Sequence, residues 1–447
     1  MGRTSTPNHL LRALLDEAEW TGTTLARQAG VVAAEQGITL LFDRKSVSFW
    51  LSGRKPRPPA PAIVAEALSR VLGRRVTEAA TGLVPAAPAT ALEQEDETAD
   101  AALALDLLGG AQRRPRTPAV GTYSLTRLDV PAWDQTAGPA RAPRPPCHGA
   151  PVTVEQVAAA EQMARLFTDN DSTFGGGHAR RPLAAYLTHV IVPLLHGPAP
   201  SALRRRLYRV ATRLTYLCAF MCFDDNEHAL AQHYYRVALR LAREGADPTG
   251  YAVTLRALSV QARSLGHHRH ALRLAETAEA AGYRGATPTR HAFLLGQLAV
   301  AAAAGADRTA ALTALSAAER LMQRATSQEP AELIGGYHPA ALAHQQATVR
   351  HLLGDTKGAI ATLQTSLRHR PPAERRSRAI VTAHLAELQL HAGHLDQAVH
   401  TWQSFLDDCP HLCSGRVTAA RRAMRARLRP YAANAGVRHL LARAALR

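Results

Sequence analysis

Residues 43–59 read DRKSVSFWLSGRKPRPP, and this stretch decides how the first part of the chain folds. Asp43 is a strong N-cap residue, and Phe42 with Val47 has the spacing of a hydrophobic staple. The pattern predicts a short helix beginning at Arg44, with Val47, Trp50 and Leu51 turned inward. Arg44, Lys45, Ser48 and Phe49 are then left outward near the helix N-terminus, with Ser46 beside them. Gly53 ends the helix, and Arg54, Lys55 and Arg57 follow in a turn stiffened by prolines. A helix start carrying donors and flanked by cations suits entry into a major groove. Side chains there read base edges, while flanking cations fix the register on phosphates. Arg44, Lys45, Ser46, Ser48, Phe49, Arg54, Lys55 and Arg57 are therefore the expected DNA contacts.

The neighbouring segments support that reading. A helix is expected over about 8–18, with Leu10, Leu11, Leu14, Leu15 and Ala18 at helical spacing. Thr23 or Thr24 caps a second, TLARQAGVVAAEQG, which puts Leu25, Ala26, Ala29 and Val32 on one side. After the connection at 36–43 and the predicted Arg44 helix, PAIVAEALSRVLGR (61–74) closes the bundle. With its LA..AGV second helix, V-S-x-W-x-x-G third helix and x-R-x-P tail, this region resembles the lambda-repressor-like, XRE-type helix-turn-helix domain. The connection between its second and third helices is longer than in that family.

The rest of the chain separates by composition. Of 447 residues, 46% are hydrophobic, 20% charged and 5% aromatic, which favours packed helices over sheets. Lys and Arg outnumber Asp and Glu by 53 to 36, a net +17 that suits an acidic partner, nucleic acid above all. Residues 85–150 are rich in Pro, Ala and Gly, with acidic Glu93, Glu95, Asp96, Glu97 and Asp100. They read as a linker with one short helix at about 98–108. No stretch is long and apolar enough for a membrane span, and the N-terminus lacks the form of a signal peptide. Five cysteines, an odd number, make no disulfide framework and point to a reducing cytoplasm.

Residues 151–447 repeat. A turn residue is followed by a small residue five positions later and another seven after that. Asn226, Ala231, Ala238 fit, as do Gly266, Ala271, Ala278; Gly305, Ala310, Ala317; and Gly354, Ala359, Ser366. Gly393, Ala398, Phe405 fits more loosely. Each period holds two antiparallel helices. The turn residue takes the left-handed conformation, and the alanines let helices approach closely. The pattern resembles the tetratricopeptide repeat, with a longer period and without that family's tryptophan. An unrelated alanine-rich bundle is the alternative.

Other signals are weaker. The FGGGHAR segment (174–180) could cradle an anion but lacks the Lys-Ser/Thr of a P-loop, so a plain interhelical loop is expected. Cys218/Cys222 and Cys409/Cys413, with His411, could in principle hold zinc, but the first pair sits in an apolar helix face. His267, His268 and His270 read as a solvated turn. No metal, no cofactor and no enzymatic constellation is expected.

With DSTFGGGHARRPLAAYL at 171–187, the whole is similar to actinobacterial regulators that couple a helix-turn-helix to tetratricopeptide-like repeats. They include streptomycete negative regulators of sporulation and antibiotic production. The expected protein is therefore all-α: a helix-turn-helix domain (1–84), a linker (85–150) and a helical solenoid (151–447). The resemblance implies a cytoplasmic, nucleoid-associated transcriptional regulator, a repressor. Two half-sites on double-stranded DNA would call for a homodimer, and a small-molecule or peptide effector would bind the solenoid. Tyr234, Tyr235, Arg236 and Arg240 are the weak candidates for lining its groove. The alternative is a protein-interaction scaffold whose first domain does not bind DNA.

Overall fold

The computed structural model describes residues 6–38, 40–84, 100–113, 121–131, 133, 150–284, 286–325 and 336–445. Every regular element among them is helical. Two compact units result: residues 1–131 with 227–233, and residues 132–226 with 234–447.

The first unit begins with α1 (His9–Glu17), α2 (Gly22–Glu35), α3 (Arg44–Leu51) and α4 (Ala60–Leu72). Leu11, Leu25, Ala29, Val47, Ile63 and Leu68 are fully buried in one core, to which all four helices contribute. Leu10, expected inside, faces solvent instead. The cap of α2 is Thr21, whose hydroxyl accepts from the Thr24 N–H at 3.2 Å, so the helix starts two or three residues before the sequence suggests. Asn8 ties the unit together. Its side chain caps α1, its N–H donates to the Leu51 carbonyl at 2.9 Å, and its amide donates to the Thr81 carbonyl at 2.9 Å. Arg70 on α4 forks onto Glu35 of α2 at 2.9 and 2.8 Å, fixing the two helices side by side.

The stretch read as a linker holds more structure than its proline content suggests. Helix α5 runs Ala101–Arg113, with Ala101, Ala104, Leu105 and Leu108 buried. Tyr123 and Leu128 are also buried, and the Leu125 N–H donates to Glu66 of α4 at 3.1 Å. The acidic residues at 93–97 lie outside the described residues, as do residues 134–149.

The second unit starts with α6 (Val154–Phe174) and α7 (Gly176–Tyr186), which passes through a π turn (187–191) into α8 (Val192–His196). Then follow α9 (Ser201–Asp224), α10 (His228–Glu244), α11 (Pro248–Ser264), α12 (His268–Gly282), α13 (Pro288–Ala304) and α14 (Arg308–Arg324). The remainder is α15 (Pro339–Leu352), α16 (Thr356–His369), α17 (Arg375–His391), α18 (Leu395–Asp408), α19 (Gly415–Leu428) and α20 (Ala435–Ala445). Helices α11/α12, α13/α14, α15/α16 and α17/α18 are packed pairs, and the pairs stack as a helical-repeat solenoid.

The repeat register differs from the sequence reading at one place. The left-handed residues are Asn226, Gly266, Ala306, Gly354 and Gly393, with φ of 62°, 86°, 63°, 91° and 83°. Gly305 stays at φ −83°, and Ala306 turns instead because Asp307 beside it caps α14, accepting from the Ala310 N–H at 2.9 Å. Counted from Ala306, the small positions are Ala311 and Ala318, both fully buried; Ala310 faces solvent. Ala231, Ala238, Ala271, Ala278, Ala359, Ser366, Ala398 and Phe405 all occupy the buried positions expected of them.

The array closes on itself. Helix α17 packs on α6 as well as on its own repeat neighbours, and α6 in turn packs on α9. The joint is the FGGG segment. Its N–H groups are already used: Gly176 donates to Asp224 Oδ2 at 3.0 Å and Gly177 to the Cys413 carbonyl at 2.8 Å. The segment therefore seats two helices against their neighbours rather than cradling an anion. A Cβ on Gly176 would lie 2.5 Å from the Met221 carbonyl oxygen. Gly176→Ala is accordingly expected to lower stability by ~1–3 kcal/mol through overpacking, read as a shift of the urea unfolding midpoint.

Candidate nucleic-acid interface and repeat-unit cavity

Helix α3 is short and defined at both ends by local chemistry. Asp43 accepts from the Ser46 N–H and from the Ser46 hydroxyl, both at 2.7 Å, and the Asp43 N–H faces Ser46 Oγ at 3.5 Å. The Ser46 hydroxyl, then its N–H, holds the Asp43 carboxyl below its ordinary pKa. At the other end Gly53, at φ 94°, sends its N–H to the Trp50 carbonyl at 3.1 Å, and Arg54 sends its own to Phe49 at 3.0 Å. That double bond from the two residues after the cap is a Schellman stop. Val47 and Trp50 are buried, and Phe42 meets Trp50 edge-on with ring centres 5.5 Å apart. Helix α2 comes close beneath: a Cβ on Gly22 would lie 3.3 Å from Val47 Cγ1.

This anchoring leaves Arg44, Lys45, Ser48 and Phe49 exposed, on one contiguous face by helical spacing. Arg54 lies over the Phe49 ring at 4.7 Å, so this pair forms a stacked cation and aromatic at the end of α3. Lys55 and Arg57 are exposed just beyond. Ser46 differs from the other expected contacts: its hydroxyl is committed to the Asp43 cap. Leu41, in the connection before α3, is 95% exposed and was not singled out by sequence reasoning.

Within the second unit the helices line a cavity of about 450 Å³. It is lined mainly from the first helix of each pair, mostly by residues lying 3, 6, 9–10 and 13 positions before the left-handed turn. Tyr216, Phe220 and Phe223 come from α9, Arg256, Val260 and Arg263 from α11, and Phe293, Gln297 and Val300 from α13. Helices α15 and α17 add His344, His351, Arg376 and His384, and α19 adds Arg416. Of the four groove residues expected from sequence, Tyr235 lines this cavity. Tyr234 is buried, and Arg236 and Arg240 are half-buried outside the lining.

The cavity wall is charged and buried. Arg376 reaches Asp171 on α6 at 2.9 Å and Asp224 on α9 at 3.8 Å, and all three are nearly inaccessible. Burial works against the charge of Arg376, but the two carboxylates outweigh it and raise its pKa. Burial pushes Asp171 up to about 6, opposed by Arg376 and assisted by Asp224. Arg370 pairs with Glu374 at 2.6 Å.

Three histidines stand together: His384 lies 6.0 Å, ring centre to ring centre, from both His344 and His351. Burial, then the charges of His351 and Arg263, push His384 down to about 4 from 6.5. Its stability contribution is complete above pH 6.5 and is lost as pH falls toward 4. Asp171 opposes this, because its raised pKa makes protonation favour the fold between about pH 6 and 4. Comparing wild type with His384→Gln isolates the histidine. Its stability relative to the variant is expected to fall by up to ~3 kcal/mol between pH 7 and pH 4, measured by urea unfolding.

Among the described residues no group of His, Cys, Asp and Glu is arranged to hold a metal ion. Cys218 and Cys222 are buried, and burial pushes the Cys409 thiol up to about 11, away from the thiolate that zinc requires. No described helix is long and apolar enough to cross a membrane.

Comparison with known proteins gives a family match for the first unit. Residues 11–84 match the family described as the SP15 N-terminal domain, a span running from α1 to just past the Thr81 turn. No curated protein matches the chain. Among solved structures, the chain is similar to BtubC (BKLC) from P. vanneervenii at 15% identity and a TM-score of 0.32. The match covers 61% of this chain and 93% of that one. It is also similar to the APC/C hetero-tetramer Cut9-Hcn1, at 18% identity and a TM-score of 0.32, over 65% of this chain and 47% of that one. The chain thus spans about half the length of that second structure.

Proposed function

We propose that the protein is a sequence-specific DNA-binding transcriptional regulator, a repressor, whose repeat unit senses an effector. The observation that carries this reading is the exposed face of α3. Two long cations, a hydroxyl and an aromatic ring stand clear of the core on a helix whose other side is locked by Val47 and Trp50. Arg44 and Lys45 suit guanine edges, and Ser48 either base or phosphate. Lys55 and Arg57 suit phosphates, where they set position rather than sequence. A homodimer would present two such helices to the half-sites of a palindrome. The repeat unit adds a charged cavity large enough for a small molecule, which supports a sensing role.

The protein-interaction scaffold is the competing reading, and the exposed Leu41 beside α3 is the observation on its side. Sequencing of DNA immunoprecipitated with the tagged protein separates the two. Discrete peaks sharing one motif are expected. A uniform background, lost on raising salt, would reject DNA recognition.

A further inference from the structure

The cavity of the repeat unit holds more positive charge than its own carboxylates neutralise. Five arginines reach it (Arg256, Arg263, Arg370, Arg376 and Arg416), against Asp171, Glu374 and the adjacent Asp224. Arg376 is matched by Asp171 and Asp224, and Arg370 by Glu374. Arg256, Arg263 and Arg416 have no carboxylate at ion-pair distance among the described residues. Arg256 donates from Nε to the Phe293 carbonyl at 3.0 Å and lies over the Phe293 ring at 3.5 Å, which holds it in place without neutralising it. Arg416 lies over Phe223 at 4.9 Å. Arg263 Nε and Tyr235 OH are buried with no hydrogen-bond partner among the described residues.

Half-buried cations without a carboxylate partner, and orphaned donors, weaken a fold unless something else satisfies them. Arg263 and Arg416 both line the cavity, and burial, then the Arg416 charge, lowers the pKa of Arg263. An anion placed between them removes the conflict and accepts from donors already oriented. Between the charged groups and the polar Gln297 and His384, the wall carries an aromatic and apolar stretch: Tyr216, Phe220, Val260, Phe293, Val300 and Ile380. A volume of about 450 Å³ lies within the range of small-molecule sites.

We infer that this cavity binds a small organic anion, its aromatic or apolar body against Phe220 and Phe293 and its acidic group between Arg263 and Arg416. The inference deepens the sensor half of the proposed function. Its test reads binding to the full chain without DNA, so its failure and a failure of DNA recognition are told apart.

The probes are 8-anilinonaphthalene-1-sulfonate and N-phenyl-1-naphthylamine, which share one aromatic body and differ by the sulfonate. Titration calorimetry at pH 7.5 is expected to show one saturable site for the sulfonate, with the neutral amine bound at least tenfold more weakly. Arg263→Gln and Arg416→Gln should each weaken the sulfonate at least tenfold and leave the amine unchanged. Both variants should melt close to the wild-type temperature, because neither removes a group in ion-pair contact with a carboxylate. Equal affinity for the two probes, no saturable sulfonate site, or sulfonate binding indifferent to both substitutions would overturn the inference. Variants that melt well below the wild type would also overturn it, since the arginines would then be serving the fold.

Discussion

Arg376→Leu is expected to destabilise the repeat unit by ~3–5 kcal/mol, the usual result of removing one partner from a buried ion pair. Arg376 is 7% exposed, Asp171 3% and Asp224 0%, so water cannot replace the guanidinium. Its Nε also donates to the Asp171 carbonyl at 3.2 Å; that carbonyl keeps the Gly175 N–H at 3.0 Å, so the loss falls on the two carboxylates. Urea unfolding followed by far-UV circular dichroism measures the effect. Arg376→Leu combined with Asp171→Leu should recover part of the loss, because one unmatched charge goes with its partner. A single-variant loss below ~1 kcal/mol would mean that apolar packing alone closes the ring.

The second large effect concerns α3. Replacing both Arg44 and Lys45 with alanine is expected to weaken binding to the preferred DNA sequence by ~1–3 kcal/mol for each base-reading contact removed. Binding to scrambled DNA should fall much less. Lys55→Ala and Arg57→Ala should weaken both DNAs alike and flatten the salt dependence, as lost phosphate contacts do. Fluorescence anisotropy on matched duplexes measures each of these losses. Equal losses on both sequences from Arg44→Ala/Lys45→Ala would remove the base-reading role from α3.

The α3 helix was legible in the sequence because everything that defines it is local. Asp43, Val47, Trp50 and Gly53 lie within eleven residues, and cap, buried face and left-handed stop each leave a residue-type signature. The Ser46 hydroxyl escaped that reading because its use is decided by Asp43, three residues before it. The repeat pattern was equally legible, with its register lost where glycine and alanine adjoin. At 305–306 the preference of glycine for positive φ yields to the cap that Asp307 builds, and alanine takes the strained position.

The cavity was not legible. It exists because Asp171 meets Arg376 across more than two hundred residues, and no spacing rule reports a contact of that span. A signal was nevertheless present: Arg256 and Arg263 stand seven apart on the helix before the Gly266 turn, His344 and His351 likewise before Gly354. Attention to the helix after the turn found Tyr235 and missed the rest, because the first helix of each pair faces the interior. The segment at 100–131 was obscured for a different reason. Its prolines and glycines read as a linker, while Ala101, Leu105, Tyr123 and Leu128 are buried.

The central claim is that α3 reads DNA sequence, and selection from a pool of random duplexes by the purified full-length chain tests it most directly. Successive rounds at physiological salt are predicted to enrich one motif, bound at least a thousandfold more tightly than scrambled DNA, as specific DNA-binding proteins bind theirs (roughly 10³-fold or more). The Arg44→Ala/Lys45→Ala protein should fail to enrich it. A wild-type protein that enriches no motif, and holds all duplexes equally with an affinity that vanishes as salt rises, would contradict the account.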